Sequence, residues 1–300
     1  MTRSAKISRR SAVNLLGGAP LWAQSLPGWP ESPPHTRKVL IAWGDNRNAN
    51  LPHSSVSHAM ATIERLGYES GLWDTYIRSD SDMITDDPPA IPGQLTLRDA
   101  DAIFFVGHRN IPLNSRQRAD LLSFVRDKGK GFVAAHTALT AWSGGWPEFT
   151  DMIGGYFDGH PWAANAAKGH LINEAPDFPA TRHFPAEFEV DDEFYMVRNF
   201  DRRKMRVLLR LDVSKLPPEH AYRRADHDFP VAWAKSYGKG RVFYSSFAHA
   251  ARGWDNRDVQ RMYVEAIRWS MGIGKPDIAP RPMPPGQRGP ATAPKAMPVG

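Results

Sequence analysis

Short unbroken apolar runs punctuate the first half of the chain: KVLIAWG (Lys38–Gly44), DAIFFVGH (Asp101–His108) and GKGFVAA (Gly129–Ala135). A run without alternation predicts a strand covered on both faces. Between these runs the spacing turns helical. One helix is predicted from a Ser54 or Ser55 cap to about Leu66, and another from Asn114 to about Lys128, where Leu121 and Leu122 fall within one turn of Val125. YESGLW (Tyr68–Trp73) reads as a further strand and Trp146 to about Ile153 as a short helix. Strand, helix and strand in repetition predict an α/β fold with a mainly parallel sheet and helices on both faces. The second half changes style. FEVDDEFY, RVLLRL and FPVAWAKSYGKGRVFYSSF predict extra antiparallel strands, the last a hairpin through Tyr237-Gly238-Lys239-Gly240. VQRMYVEAIRWSMG (Val259–Gly272) predicts a closing amphipathic helix with Gly272 near its C-cap.

The ends are different in kind. Ser8-Arg9-Arg10 precedes a short, weakly apolar stretch with Gly17 and Gly18 and a small residue near Ala23. That is the outline of a twin-arginine export signal, and it predicts a periplasmic or extracellular protein; the competing reading is a disordered basic tail. The expected organisation is 1–36 as signal and Pro-rich linker, 37–272 as one domain, and 273–300 as a Pro-rich disordered tail. The apolar run of the leader is too short to span a membrane.

Composition then narrows the chemistry. The net charge is +6 with no long Lys/Arg run in the middle of the chain, which argues against nucleic-acid binding. The absence of cysteine excludes disulfides, thiolate metal sites and a Cys nucleophile together. Ten tryptophans bring sugar stacking into view, with Trp43, Trp142, Trp146 and Trp162 near presumed strand ends or loops. No Gly-rich phosphate loop, GxGxxG or HExxH is present, so a nucleotide cofactor is not expected.

Parallel α/β sheets bind ligands at the carboxyl ends of their strands. The polar residues just past each predicted strand are therefore informative: Asp45 and His53 after the first apolar run, His108 and His136 after the next two, and His249 after the hairpin. His136 stands where a strand–turn–helix junction carries the nucleophile in other α/β enzymes, yet it is a histidine. In FEVDDEFY, strand alternation places Glu193 and Tyr195 on the same face, a pairing suited to proton transfer. The alternative is an edge strand carrying charge against aggregation.

KVLIAWG with His53, the strand ending in His136, EFTDMIGGYFDGHPW (Glu148–Trp162), DDEFY, and PVAWAKSYGKGRVFYSSFAHA with the helix ending RWSMG together resemble the ThuA-like (trehalose-utilisation) domain. The resemblance covers about residues 37–272. It implies a flavodoxin-like, class I glutamine amidotransferase-like sheet without that fold's Cys–His–Glu triad. Ala248 departs from the family, which commonly has Gly before the histidine. The resemblance implies sugar catabolism, including pathways through 3-keto sugars, and hence a sugar or keto-sugar as the small-molecule partner. The expected convergence on one rim makes His136, Glu193 and Tyr195 the catalytic candidates, and Asp45, His108, Trp142 and Trp162 the substrate-binding ones. His53, His136 and His249 become ligands for a divalent metal such as zinc. Two other readings stay open: a non-catalytic sugar-binding module, and metal-assisted hydrolysis. Nothing in the sequence specifies an oligomeric state.

Overall fold

A computed structural model describes residues 37–45, 53–161, 167–215 and 226–284. The leader, Trp162 and the last residues of the chain lie outside these. Among the described residues a nine-stranded sheet runs β2-β1-β3-β4-β11-β10-β9-β6-β7. Its parallel part comprises β1 (Lys38–Trp43), β2 (Trp73–Arg78), β3 (Ala102–Phe105), β4 (Gly131–Ala135) and β11 (Gly240–Ser245). Its antiparallel part adds β10 (Pro230–Tyr237), β9 (Arg206–Leu211), β6 (Ala167–Asn173) and β7 (Glu187–Asp192). A separate ribbon pairs β5 (Tyr156–Phe157) with β8 (Val197–Arg198). This is the α/β arrangement that the apolar runs predict, and it agrees with the flavodoxin-like sheet that the resemblance implies.

Two apolar cores lie on the two faces of the sheet. On one, α1 (Ser55–Ser70), α4 (Ala251–Asp255) and α5 (Arg257–Ser270) pack Val56, Ile63, Trp254, Met262 and Ile267 against Leu40, Phe104 and Phe243. On the other, α2 (Ser115–Arg126) and α3 (Pro147–Ile153) pack Leu121, Phe124, Phe149 and Ile153 against Ile41, Phe105 and Phe132. Local chemistry fixes where the helices start. Asn114 and Gln117 form a reciprocal capping box on α2, and Asn256 accepts from the Asp258 and Val259 N–H groups on α5. No helix among the described residues is long and apolar enough to cross a membrane.

The sequence reading errs in three places. Tyr68–Ser70 belong to α1, which stops only at Gly71 in the left-handed region (φ 67). The strand is Trp73–Arg78, an edge strand whose polar positions blur its pattern. After β4 there is no α-helix but a 3₁₀ segment, His136–Gly144, kinked at Ala141–Ser143. Asp277 and Arg281, assigned to the tail, are tied to the sheet: Arg206 donates to the Asp277 carbonyl at 3.1 Å and Arg281 pairs with Asp177 at 3.4 Å.

Candidate active site

β1, β3, β4 and β11 are parallel neighbours, so the segments that leave their carboxyl ends gather on one rim. His53 lies at the start of α1, just before Ser54, while His108, His136 and His249 come after β3, β4 and β11. Their rings meet. The His53 centroid is 4.6 Å from that of His108, 5.5 Å from His136 and 4.9 Å from His249. With Arg109, Thr140, Phe157, His160, Glu193 and Tyr195, the residues His53, His108 and His249 line a cleft of about 530 Å³, a volume within the usual range for small-molecule sites. A cavity of similar size, about 560 Å³, lies by Arg202 and Asp228. There the charges on the wall pair with each other, whereas at the rim they converge on the cleft.

His136 is the first residue past β4, in the left-handed region at φ 33, where a residue with a Cβ is strained. The ring is 1% exposed and sits behind the cleft wall. Its Nδ1 lies 2.7 Å from the Ser246 carbonyl, which accepts the proton and leaves Nε2 with its electron pair. Around Nε2 stand the Tyr195 hydroxyl at 2.8 Å, Glu193 Oε2 at 3.0 Å and His249 Nδ1 at 3.1 Å. Tyr195 donates to Nε2, and His249 donates to Glu193 Oε2 across 2.9 Å. With those protons placed, the electron pairs of His136 Nε2 and Glu193 Oε2 still face each other at 3.0 Å. A cation between them turns that contact from repulsive to attractive.

The donor set fits a metal ion. His53, His136, Glu193 and His249 each offer one ligand atom, and all these atoms lie within 4.8 Å of one another. A ligating histidine normally gives its other N–H to a carbonyl or carboxylate, as His136 does to Ser246. Several histidines with one carboxylate suit zinc.

The electrostatics reflect this crowding. Burial, then the neighbouring imidazoles of His136, His108 and His249, push His53 down to about 3. Burial and Arg109 push His108 down to about 4. Burial alone would raise the Glu193 carboxyl, but the adjacent His136 and His249 imidazoles hold it well below the usual carboxylate range. The bond to Glu193 raises His249. Burial, then the Glu193 charge, push the Tyr195 phenol well above its ordinary value.

Strand alternation is not what brings Glu193 and Tyr195 together. β7 ends at Asp192, and Glu187, Glu189 and Asp191 are the charges of the edge strand. Asp192 turns the chain inward. Its carboxylate accepts from the N–H groups of Ala248 (2.6 Å), His249 (3.1 Å) and Glu193 (2.9 Å), stapling the end of β7 to the turn after β11. Ala248 adopts φ 74, the conformation glycine prefers. Room for its side chain comes from Gly253, where a Cβ would lie 2.7 Å from the Ala248 Cα.

Other expected residues lie elsewhere. Asp45 is buried and accepts from Ser81 at 3.0 Å, away from the cleft lining. Trp142 is packed among Trp43, Phe105, Trp146 and Phe149, and its indole N–H donates to the Ile111 carbonyl at 3.0 Å. No face is left for a sugar, which corrects the substrate-platform reading. His160 and Arg109 line the cleft and were not singled out. His160 donates from Nδ1 to the Phe194 carbonyl at 3.1 Å, and its Nε2 lies 3.6 Å from Glu193 Oε1. The GHPW motif carried that signal. Arg109 carried none beyond standing next to His108.

The sequence matches the family model described as ThuA, trehalose utilisation, over residues 38–270. The chain belongs to the ThuA family. This places it in carbohydrate metabolism. A putative ThuA-like protein from Bacteroides uniformis shares its fold with a TM-score of 0.63 at 21% identity, over 81% of this chain and 95% of the other. One from Parabacteroides merdae gives a TM-score of 0.57 at 15% identity, over 78% and 90%. No protein of curated function matches the sequence.

Proposed function

We propose that this ThuA protein is an enzyme that removes a proton next to the ketone of a keto-glycoside, leading to isomerisation or to elimination of the glycosidic oxygen. The observation that carries this reading is the meeting of His53, His136, Glu193, His249 and Tyr195 at one cleft on the parallel rim. A ketone acidifies its neighbouring C–H, so the reaction needs a base, a stabiliser for the enolate oxygen and, for elimination, a proton for the leaving oxygen.

Glu193 takes the base role rather than His136, because it lines the cleft while His136 sits behind it. Its carboxylate is ionised at neutral pH, held so by its histidine bonds. A proton taken from carbon leaves its electron pair to the enolate. The enolate then reprotonates at the neighbouring carbon or expels the glycosidic oxygen, which takes up the proton that Glu193 has collected. Tyr195 stays protonated and holds His136 in register. A divalent ion on His53, His136, Glu193 and His249 would supply an electrophile for the enolate oxygen.

The sugar-binding module is the weaker reading. Of the four tryptophans it would use as platforms, Trp43, Trp142 and Trp146 are buried, and Trp162 lies outside the described residues. In this proposal the enzyme works outside the cytoplasm, supported by Ser8-Arg9-Arg10 and the weakly apolar stretch after it; cell fractionation tests that part.

The direct test is NMR of 3-keto-glucosides in deuterated water. Deuterium entering next to the ketone, or loss of the aglycone, with both absent in Glu193→Gln, is the expected result. Ligand signals that broaden while no proton exchanges would leave a binding module and defeat the enzyme reading.

A further inference from the structure

Arg109 stands at the cleft wall with an unusually constrained backbone. Its φ is 59, in the left-handed region where arginine is strained. Three hydrogen bonds hold it there. Its N–H donates to Thr140 Oγ1 at 3.4 Å, and its carbonyl accepts from the Ile111 and Trp142 N–H groups, each at 3.1 Å. The side chain is treated differently. The residue is exposed, and among the described residues its guanidinium has neither an ion-pair partner nor a hydrogen bond.

Among the described residues no free anion stands at the cleft wall to answer it. Among the described lining residues Glu193 is the only carboxylate, and it already accepts from His249. Asp192, behind the wall, is taken up by three backbone N–H groups. Ser54 opens α1 at the cleft without a side-chain capping bond, and no acid sits in that helix's first turn, so the positive end of α1 adds to the field. His108 beside Arg109 is 3% exposed, and its Nδ1 has no hydrogen-bond partner.

We infer that the substrate of this cleft carries an anionic substituent, a carboxylate or a phosphate on the sugar, and that Arg109 pairs with it. This rests on the cleft being a sugar site, as proposed above. A guanidinium with a fixed backbone and no competing carboxylate is preorganised for a charged, bidentate partner. Arg109 is thus a specificity residue, and the histidine–glutamate cluster does the chemistry.

The test compares equilibrium binding of methyl β-D-glucuronide, glucose 6-phosphate and methyl β-D-glucoside to the full chain at one ionic strength. Wild type should favour at least one charged probe over the neutral one by about ten- to a hundredfold. That ratio should collapse in Arg109→Gln and survive in part in Arg109→Lys. Which charged probe wins identifies the substituent. A ratio near one in wild type, no binding of any probe, or a ratio undiminished in Arg109→Gln overturns the inference. If Arg109→Gln does not fold, Arg109→Lys and salt decide, because the preference must weaken as ionic strength rises. Charged-probe preference without proton exchange in any keto-sugar would leave this inference standing while the proposed reaction fell.

Discussion

Two of the buried polar clusters among the described residues are built on opposite plans. In the antiparallel half, Arg202 binds Asp228 at 2.6 Å and Glu174 at 2.6 Å, while Arg210 binds Glu174 at 2.7 Å. Each positive group meets a negative one, and the network is complete within the chain. At the parallel rim, three imidazoles surround a single carboxylate, and two electron pairs face each other at 3.0 Å. His53 and His108 also each leave a buried Nδ1 without a partner. The first cluster has opposite charges in good geometry and reads as structural. The second gathers more buried lone pairs than its own donors can answer, and buried polar groups so arranged mark sites where something else binds.

Removing one group from each cluster gives the sharpest contrast. Glu193→Gln should lower turnover of a keto-glycoside by about 10²–10⁴-fold, the usual range for a lost general base. Its denaturation midpoint should fall less than that of Glu174→Ala, because the amide keeps a hydrogen-bonding group beside His249. Glu174→Ala should do the reverse. It removes the carboxylate shared by Arg202 and Arg210 and leaves Asp228 on Arg202, at a cost of about 3–5 kcal/mol in urea unfolding, with activity per folded molecule retained. If both variants lost stability and activity alike, the division between the clusters would be wrong.

Acid should weaken the rim before it weakens the arginine network. His53 and His108 are held at about 3 and about 4 in the folded protein, against 6.5 in an unfolded chain. Between those values the unfolded chain binds protons that the folded one refuses. The stability from these two groups is therefore full above pH 6.5 and is lost as the pH falls towards 4. His249 is raised and opposes this, since its contribution is present below 6.5 and is lost as pH rises through its folded value. Glu193 is depressed, so its contribution is lost only at still lower pH. Urea midpoints of the metal-free protein should fall from about pH 7 to about pH 4, and His53→Gln with His108→Gln should flatten that slope. An equal slope in wild type and variant would remove the electrostatic account of the cluster.

The smallest effect concerns the turn that delivers His249. Ala248→Gly should relieve a left-handed alanine and stabilise by about 0.5–1 kcal/mol, offset in part by glycine's greater freedom when unfolded. A loss of stability would mean that the Ala248 methyl group packs usefully against Gly253.

What was legible in the sequence was what topology alone decides. Continuous apolar strands imply a parallel sheet, a parallel sheet pools its strand ends, and the residues just past β3, β4 and β11 could be read off as neighbours. Glu193 was found for an incomplete reason. Alternation pairs it with Tyr195, but the strand has ended by then, and it is the Asp192 staple that turns both inward. Trp142 misled because a loop position looks exposed in sequence, whereas the kinked segment Ala141–Ser143 drives its indole into the core. The edge strand β2 was displaced because its polar positions resemble a helix end. Arg109 was invisible because its significance lies in a partner it lacks, and a missing partner leaves no pattern in sequence.

The most direct measurement is calorimetric titration of the untagged, metal-stripped protein with zinc. If the rim cluster is completed by a cation, one equivalent should bind per chain, thermal stability should rise with it, and His136→Ala and His249→Ala should abolish both effects. No saturable binding, or binding that survives both substitutions unchanged, would contradict the claim that these four side chains await a positive charge from outside.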